Sequence, residues 1–354
     1  MAENKLNRRR EMGFEGRLKP VDSYSYKGHL IPGKCRPERA KSFFEDEKFM
    51  PPRIVSIEPS SACNLKCLMC PTYLTTKKHT LLDFNLFKRI VNETKDFQSG
   101  FVFQGTGEPM LHPRLFEMVE YAKKNSIQNI LISSNGTKLT DEHIEKILNP
   151  DTSPHFIQFS IDGHSKELYE KYRYGASFDS VYEGVKKLQQ LRNTRNLISP
   201  EITINTLYSS DFNLDLFLDM WGDLVDDITV SPMLKQAKQL KTDDTFLNVV
   251  QDSTHLYISC PKPYEIISIL SSGLVTHCQH DYHQIHIKGD LNTGESLLDI
   301  WRNKAYHEFR KLHIEGRAEE TTCHGCASLY RIKNEKELFL LREKVKDFFY
   351  KRDN

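Results

Sequence analysis

The sequence predicts an α/β fold built on a parallel sheet, and three observations carry this. From residue 53 onward, short apolar runs alternate with longer amphipathic stretches. Helix candidates separate successive strand candidates, the order that a parallel sheet with right-handed crossovers requires. The chain holds six such units, fewer than the eight that close a full barrel.

The strand candidates are Arg53–Glu58, Gly100–Phe103, Asn129–Ser133, Phe156–Ser160, Glu201–Thr206 and Asp227–Ser231. Helix candidates fall between them, at about 83–97, 113–125, 140–148, 165–173, 178–193 and 212–222. Leu115–Lys124 and Val181–Leu191 carry their apolar residues at helical spacing. Beyond residue 255 helical periodicity fades and Pro, Gly and His become frequent. There Ile267–Leu270 and Val275–Cys278 flank Ser271-Ser272-Gly273, a hairpin signal. Residues 334–351 read as a charged helix with Leu338, Leu341, Val345 and Phe348 on one face, expected to dock on the barrel.

Composition narrows the partners. Lys+Arg is 49 and Asp+Glu is 48, a formal net charge of +1. That balance favours neither nucleic acid nor an anionic membrane. Hydrophobic content of 38% and charged content of 27% suit a soluble chain with a core. No apolar run approaches a membrane span. The first residues, MAENKLNRRREMGFEGRLK, lack the apolar core of a signal peptide, and Glu3, Glu11 and Glu15 argue against a transit peptide. A cytoplasmic location is expected. In a reducing compartment eight cysteines are metal ligands or buried residues rather than disulfides. Arg8-Arg9-Arg10 reads as a solvated arm.

Just after the first strand candidate stands Cys63-Asn64-Leu65-Lys66-Cys67-Leu68-Met69-Cys70. Three thiols at C-x3-C-x2-C spacing can hold one corner of a cluster but cannot complete a four-thiolate site. A [4Fe–4S] cluster held by three thiolates keeps one iron open for another ligand. A zinc knuckle or a chance trio of buried thiols is the plainer alternative, but zinc usually needs a fourth ligand close by. The spacing resembles the signature of the radical S-adenosylmethionine (SAM) superfamily. The resemblance implies a partial (β/α)6 TIM-like barrel with the cluster loop after the first strand. It also implies that the open iron is chelated by SAM, that SAM is split to a 5′-deoxyadenosyl radical, and that an electron donor such as flavodoxin or ferredoxin is needed.

Further motifs fall at strand ends, where active sites of such barrels lie. Gln104-Gly105-Thr106-Gly107-Glu108-Pro109 offers small residues for close backbone approach and Glu108 as an acceptor. It resembles the family's G-G-E-P motif, which holds the SAM ammonium, with Thr106 replacing the usual second glycine. Ser133-Ser134-Asn135-Gly136-Thr137 is similar to the family's S/T-N-G segment near SAM. Ser160-Ile161-Asp162-Gly163 resembles a segment placed near the SAM ribose, with Ser160 and Asp162 as its polar groups. Arg173 matches a position where the family often pairs an arginine with the SAM carboxylate. Asn205 on the fifth strand is a further candidate to face the ligand. Each has a plainer reading, as a turn, a cap or a solvated side chain.

A second cysteine set comprises Cys260, Cys278, Cys323 and Cys326. With the hairpin and Gly294-Glu295-Ser296-Leu297-Leu298-Asp299-Ile300-Trp301, it resembles the SPASM/twitch extension of the same family. Four thiols suit one fully ligated auxiliary [4Fe–4S] cluster; structural zinc is the alternative. His277, His280, His283 and His286 share no single helical face and read as loop residues. The expected organisation is an N-terminal extension over 1–50, a partial barrel over 51–240, a SPASM/twitch domain over 241–333 and a C-terminal helix over 334–354.

The resemblance implies an enzyme. The Cys63–Cys70 form is similar to members that act on small polar molecules, so oxidation of an alcohol carbon in a carbohydrate or aminocyclitol is expected. Peptide modification, by an epimerase or a cross-linking maturase, is the alternative, and a metal-binding protein without catalysis is another. The short segment ahead of the barrel counts against a peptide. An epimerase would need a hydrogen donor. Cys35 is the cysteine left once seven are assigned, and a bystander otherwise.

Overall fold

A computed structural model of the protein describes residues 50–74, 79–97, 99–232, 260, 262–321, 323 and 335–353. The N-terminal arm, Cys35 and Cys326 lie outside the described residues.

The six expected strands form. They are β1 (Ile54–Ile57), β2 (Gly100–Phe103), β3 (Ile130–Ser134), β4 (Phe156–Ser160), β5 (Glu201–Tyr208) and β6 (Asp227–Pro232), each parallel to its neighbour. The helices between them are α1 (Phe84–Thr94), α2 (Leu115–Lys124), α3 (Asp141–Leu148), α4 (Lys166–Tyr172), α5 (Phe178–Thr194) and α6 (Leu214–Trp221). Side-chain caps fix most of their starts. Asp83, Thr140, Ser165, Ser177 and Asn213 each accept from a backbone N–H in the first turn, as short polar side chains at that position do.

The hairpin is β7 (Ile266–Ile269) and β8 (Leu274–Thr276), followed by β9 (Ile287–Asp290). It does more than the sequence indicated, because β7 pairs in parallel with β1. One open nine-stranded sheet results, in the order β6-β5-β4-β3-β2-β1-β7-β8-β9. Three further helices flank this part: α7 (Lys262–Glu265), α8 (Leu297–Arg302) and α9 (Lys304–Ile314). Glu93 on α1 accepts from the Leu297 N–H at 2.6 Å, which ties α8 to the barrel.

Alternate strand residues serve different cores. Val55, Ile57, Phe101, Phe103, Ile132 and Ile204 join the large core under the helices. Ile54, Val102, Leu131, Phe156 and Ile266 form a separate small cluster on the inner face. Further along the strands the inner face turns polar and neutral, with Ser56, Gln104, Gln158 and Asn205. The apolar plug closes one end of the sheet's concavity, and the polar end carries the loops.

The C-terminal helix, α10 (Glu335–Asp353), docks as its pattern predicts. Val345 and Phe349 are buried, and Leu341 and Phe348 pack against the main core. Arg342 donates to the Val230 carbonyl on β6 at 3.1 Å, and Arg352 to those of Gly222 and Val225 at 2.8 and 2.6 Å. The side chain of Leu338 lies outside the described residues.

Candidate functional site

The loop after β1 carries Cys63, Cys67 and Cys70. Cys67 is buried with Leu65, Met69 and Tyr172, and Cys63 and Cys70 pack against that group. Backbone bonds hold the loop against the C-terminal end of α4. Lys66 N–H donates to the Tyr174 carbonyl at 3.0 Å, and Leu68 N–H to that of Tyr172 at 2.9 Å. Burial raises the Cys63 thiol above its ordinary value and pushes Cys67 up to about 11, while Arg173 opposes both shifts. The charge of Cys70 raises both, and that of Cys63 raises Cys67 as well. Among the described residues no His, Cys, Asp and Glu side chains converge as a site for a single metal ion. The trio has the donor type that a cluster needs.

Polar groups point at these sulfurs. The Arg173 guanidinium lies 3.9 Å from Cys67 Sγ, and Asn135 Nδ2 lies 3.9 Å from Cys63 Sγ. Asn135 Nδ2 also donates to Asn64 Oδ1 at 3.1 Å, and Asn64 Nδ2 to Thr137 Oγ1 at 2.7 Å. The turn after β3 is thereby tied to the cysteine loop.

The loop after β2 approaches closely. Glu108 N–H donates to the Ala62 carbonyl at 2.8 Å. A Cβ on Gly107 would stand 2.1 Å from the Ser60 carbonyl oxygen, so only glycine fits. The carbonyls of Gly105, Thr106 and Gly107 take no hydrogen bond from any described residue. Three consecutive open acceptors suit an ammonium group. Glu108 is 2% exposed, and its oxygens accept from Met110 N–H (3.0 Å), Ser134 Oγ (2.7 Å) and Asn135 N–H (2.7 Å). Burial raises its pKa despite those bonds. Its observed work is to hold the turn after β3 beside the acceptor row.

Asp162 departs from the role expected of it. Its carboxylate is entirely buried and both oxygens are engaged, one by Arg173 Nε at 2.6 Å and one by the Leu207 N–H at 2.7 Å. No open face remains for a ribose, so its contacts orient Arg173. Ser160 is half-buried at the end of β4, beside Asn205 on β5. Asn205 Oδ1 accepts from Ser231 Oγ at 3.0 Å.

In the second region Cys260 is buried, and Cys278 and Cys323 are half-buried. Cys278 Sγ receives the His280 N–H at 3.4 Å and the Lys262 ammonium at 3.7 Å, donors that suit a cluster thiolate. Cys323 Sγ lies 3.6 Å from His313 Nε2. His277 packs on Phe309, their rings 4.1 Å apart, and burial lowers its pKa well below the ordinary value. It is buried, as is His313, and His280 is half-buried beside Cys278; burial lowers the pKa of both of these too. Ser296 caps α8 by accepting from the Asp299 N–H, as the motif predicts.

Sequence reasoning missed Gln279. Its Oε1 accepts from Gln104 Nε2 at 2.7 Å and from Ser56 Oγ at 3.3 Å, on the inner face of the sheet. It also missed Glu58, buried at the end of β1. Position beside a motif was the signal available for both: Gln279 follows Cys278, and Glu58 precedes the cysteine loop.

Comparison with known proteins places these features. Residues 57–208 match the radical SAM superfamily, and residues 260–327 match the SPASM iron–sulfur cluster-binding domain. The chain is 34% identical over 299 residues to a tungsten-containing aldehyde ferredoxin oxidoreductase cofactor-modifying protein of Pyrococcus furiosus, covering 72% of this chain and 82% of that protein. It is 24% identical to an S-adenosyl-L-methionine-dependent 2-deoxy-scyllo-inosamine dehydrogenase of Niallia circulans, over 77% of this chain and 92% of that one. Its fold is similar to that of Streptococcus suis SuiB bound to the precursor peptide SuiA, with a TM-score of 0.59 at 15% identity, covering 86% and 79% of the two chains.

Proposed function

The chain belongs to the radical SAM superfamily, with a SPASM domain at its C-terminal side, and from that premise we propose that it oxidises an alcohol carbon of a small polar molecule, a carbohydrate or an aminocyclitol. It is a radical SAM enzyme, and its cofactors are SAM and [4Fe–4S] clusters. When bound, they supply one-electron chemistry that removes a hydrogen atom from a substrate carbon. Cys63, Cys67 and Cys70 would hold the cluster that binds SAM. Cys260, Cys278, Cys323 and Cys326 would hold the auxiliary cluster. The carbonyls of Gly105, Thr106 and Gly107 would take the SAM ammonium. Arg173, set by Asp162, would take the carboxylate, and Asn135 would orient the cysteine loop.

One observation carries the substrate reading. The polar part of the inner face carries the neutral groups Ser56, Gln104, Gln158, Asn205, Ser231 and Gln279, and the carboxylate that follows them, Glu58, is taken up by four hydrogen bonds. Hydroxyls and carboxamides both donate and accept, which matches a polyhydroxylated or amino alcohol. Likeness to the inosamine dehydrogenase of Niallia circulans supports the same direction. The fully ligated auxiliary cluster would leave no open iron for substrate, so electron acceptance suits it.

Anaerobically reconstituted protein, given SAM, a reductant and a panel of aminocyclitols and sugars, should form 5′-deoxyadenosine. It should also form a product about two mass units lighter than its substrate, the loss of two hydrogens. The peptide reading, supported by likeness to SuiB, predicts instead an isobaric or cross-linked peptide product and no small-molecule turnover. An isobaric product carrying solvent deuterium, with turnover lost in Cys35→Ala, would overturn dehydrogenation. Absence of SAM cleavage by the reconstituted chain would overturn the enzyme itself.

A further inference from the structure

Glu58 joins three parts of the chain that the motifs treat separately. Its Oε2 accepts from the Thr106 N–H at 2.8 Å and the Thr106 hydroxyl at 2.6 Å. Its Oε1 accepts from the Ser271 N–H at 3.2 Å and the Ser271 hydroxyl at 2.8 Å. Thr106 lies in the loop after β2, and Ser271 at the tip of the β7–β8 hairpin. The chain of bonds continues. Ser271 Oγ lies 2.6 Å from Thr80 Oγ1, and the Thr80 N–H donates to Ser61 Oγ at 2.8 Å, two residues before Cys63. Glu58 is 2% exposed, and a carboxylate, which accepts on both oxygens, matches the four donors around it.

The local sequence is fitted to this contact. A Cβ on Gly105 would stand 2.5 Å from Glu58 Cγ, so glycine is what admits the carboxylate. Thr106, where the superfamily motif has glycine, spends its hydroxyl on Glu58. In a planar trans peptide the carbonyl points opposite to the N–H. Drawing the Thr106 N–H to Glu58 therefore turns the Gly105 carbonyl away from it, into the row of open acceptors.

We propose that Glu58 is a positioning residue that sets this acceptor row and couples it to the auxiliary hairpin through Ser271. The proposal rests on the reading of residues 105–107 as the SAM ammonium site. Its consequence is that a hydroxyl on the hairpin controls affinity for SAM.

The test uses the full chain, reconstituted anaerobically, with SAM affinity measured by calorimetry. Exchange of the amides between Gln104 and Glu108 is measured without SAM. Ser271→Ala should weaken SAM binding about 5–10-fold, a part of the worth of one hydrogen bond to a charged group because the bond reaches SAM only through Glu58, with iron content unchanged. Thr106→Val should act similarly, and the double variant should weaken binding by less than the product of the two singles. Glu58→Gln should weaken binding most, about 10–100-fold. The amide of Thr106 should exchange faster in Ser271→Ala as well as in Glu58→Gln. Full-iron Ser271→Ala and Glu58→Gln proteins with wild-type SAM affinity would overturn the proposal, and so would singles that multiply. Wild-type protein that binds no SAM would remove the site reading on which the proposal stands. Unchanged Thr106 exchange in Ser271→Ala would overturn the coupling itself, whatever SAM does.

Discussion

At Arg173 one guanidinium meets a buried carboxylate and a buried sulfur. The pair with Asp162 lies mostly out of water, with side-chain exposures of 13% and 0%, the exposed part belonging to Arg173. Removing one partner of such a pair strands the other charge and typically costs about 3–5 kcal/mol. Arg173→Met should therefore lower unfolding free energy by about 3 kcal/mol. Adding Asp162→Leu should restore most of that, as apolar replacement of both partners often does, without restoring SAM binding. Chemical denaturation and calorimetry together separate the two effects. If Arg173→Met binds SAM like the wild type, its assigned contact with the carboxylate is wrong. For Cys67→Ala the expected result is a folded chain that no longer forms 5′-deoxyadenosine. Arg173 could be named from sequence because the motif placed it. The closed position of Asp162 could not, because burial of both oxygens depends on the Leu207 N–H, a strand away.

Among the elements, the loop after β2 and the segment that follows it tolerate least. Gly107→Ala would drive a methyl into the Ser60 carbonyl, and overpacking of this kind costs about 1–3 kcal/mol. The same change should reduce SAM binding, read on protein of normal iron content. His112, at the C-terminal end of the short turn Pro109–Leu111, carries a pH dependence. Its Nε2 meets the Leu82 carbonyl and its Nδ1 accepts from the Arg114 N–H, each at 3.1 Å, and burial lowers its pKa from 6.5. The folded state thus binds this proton less readily than the unfolded chain. The contribution is present above 6.5 and is lost as pH falls. Wild-type protein should lose stability relative to His112→Gln between about pH 7 and 5, followed by denaturation at each pH. Six strands and six helices of the barrel were legible because each buries one face against the sheet or core, and periodicity reports that burial. β9 was not, because Ile287–Asp290 offers one apolar residue among polar ones. Its pairing with β8 comes from the neighbouring strand and from no pattern of its own.

For the whole molecule, the cysteine sets predict iron content. Seven ligating cysteines and two cubanes give about eight irons per chain, and replacing Cys63, Cys67 and Cys70 together should leave about four. A triple variant that holds zinc and no iron would remove the auxiliary cluster. Sequence placed the two cysteine sets in separate domains, and composition offers no hint that β7 lies against β1. That parallel pairing, Ile54↔Ile266 through Ile57↔Ile269, gives the division between the two parts a different meaning. A boundary drawn near residue 240 divides the strands of one sheet, β1–β6 on one side and β7–β9 on the other. A chain ending there would bare the N–H and C=O edge of its own first strand, and exposed edges recruit other edges. The shortened protein should therefore collect in aggregates rather than as a working half. A replacement extension borrowed from a relative would need to supply a strand in register before it could supply a cluster. Inheritance of the two parts is thus constrained by backbone pairing, and recombination between relatives should succeed only where the crossover keeps β1 and β7 together.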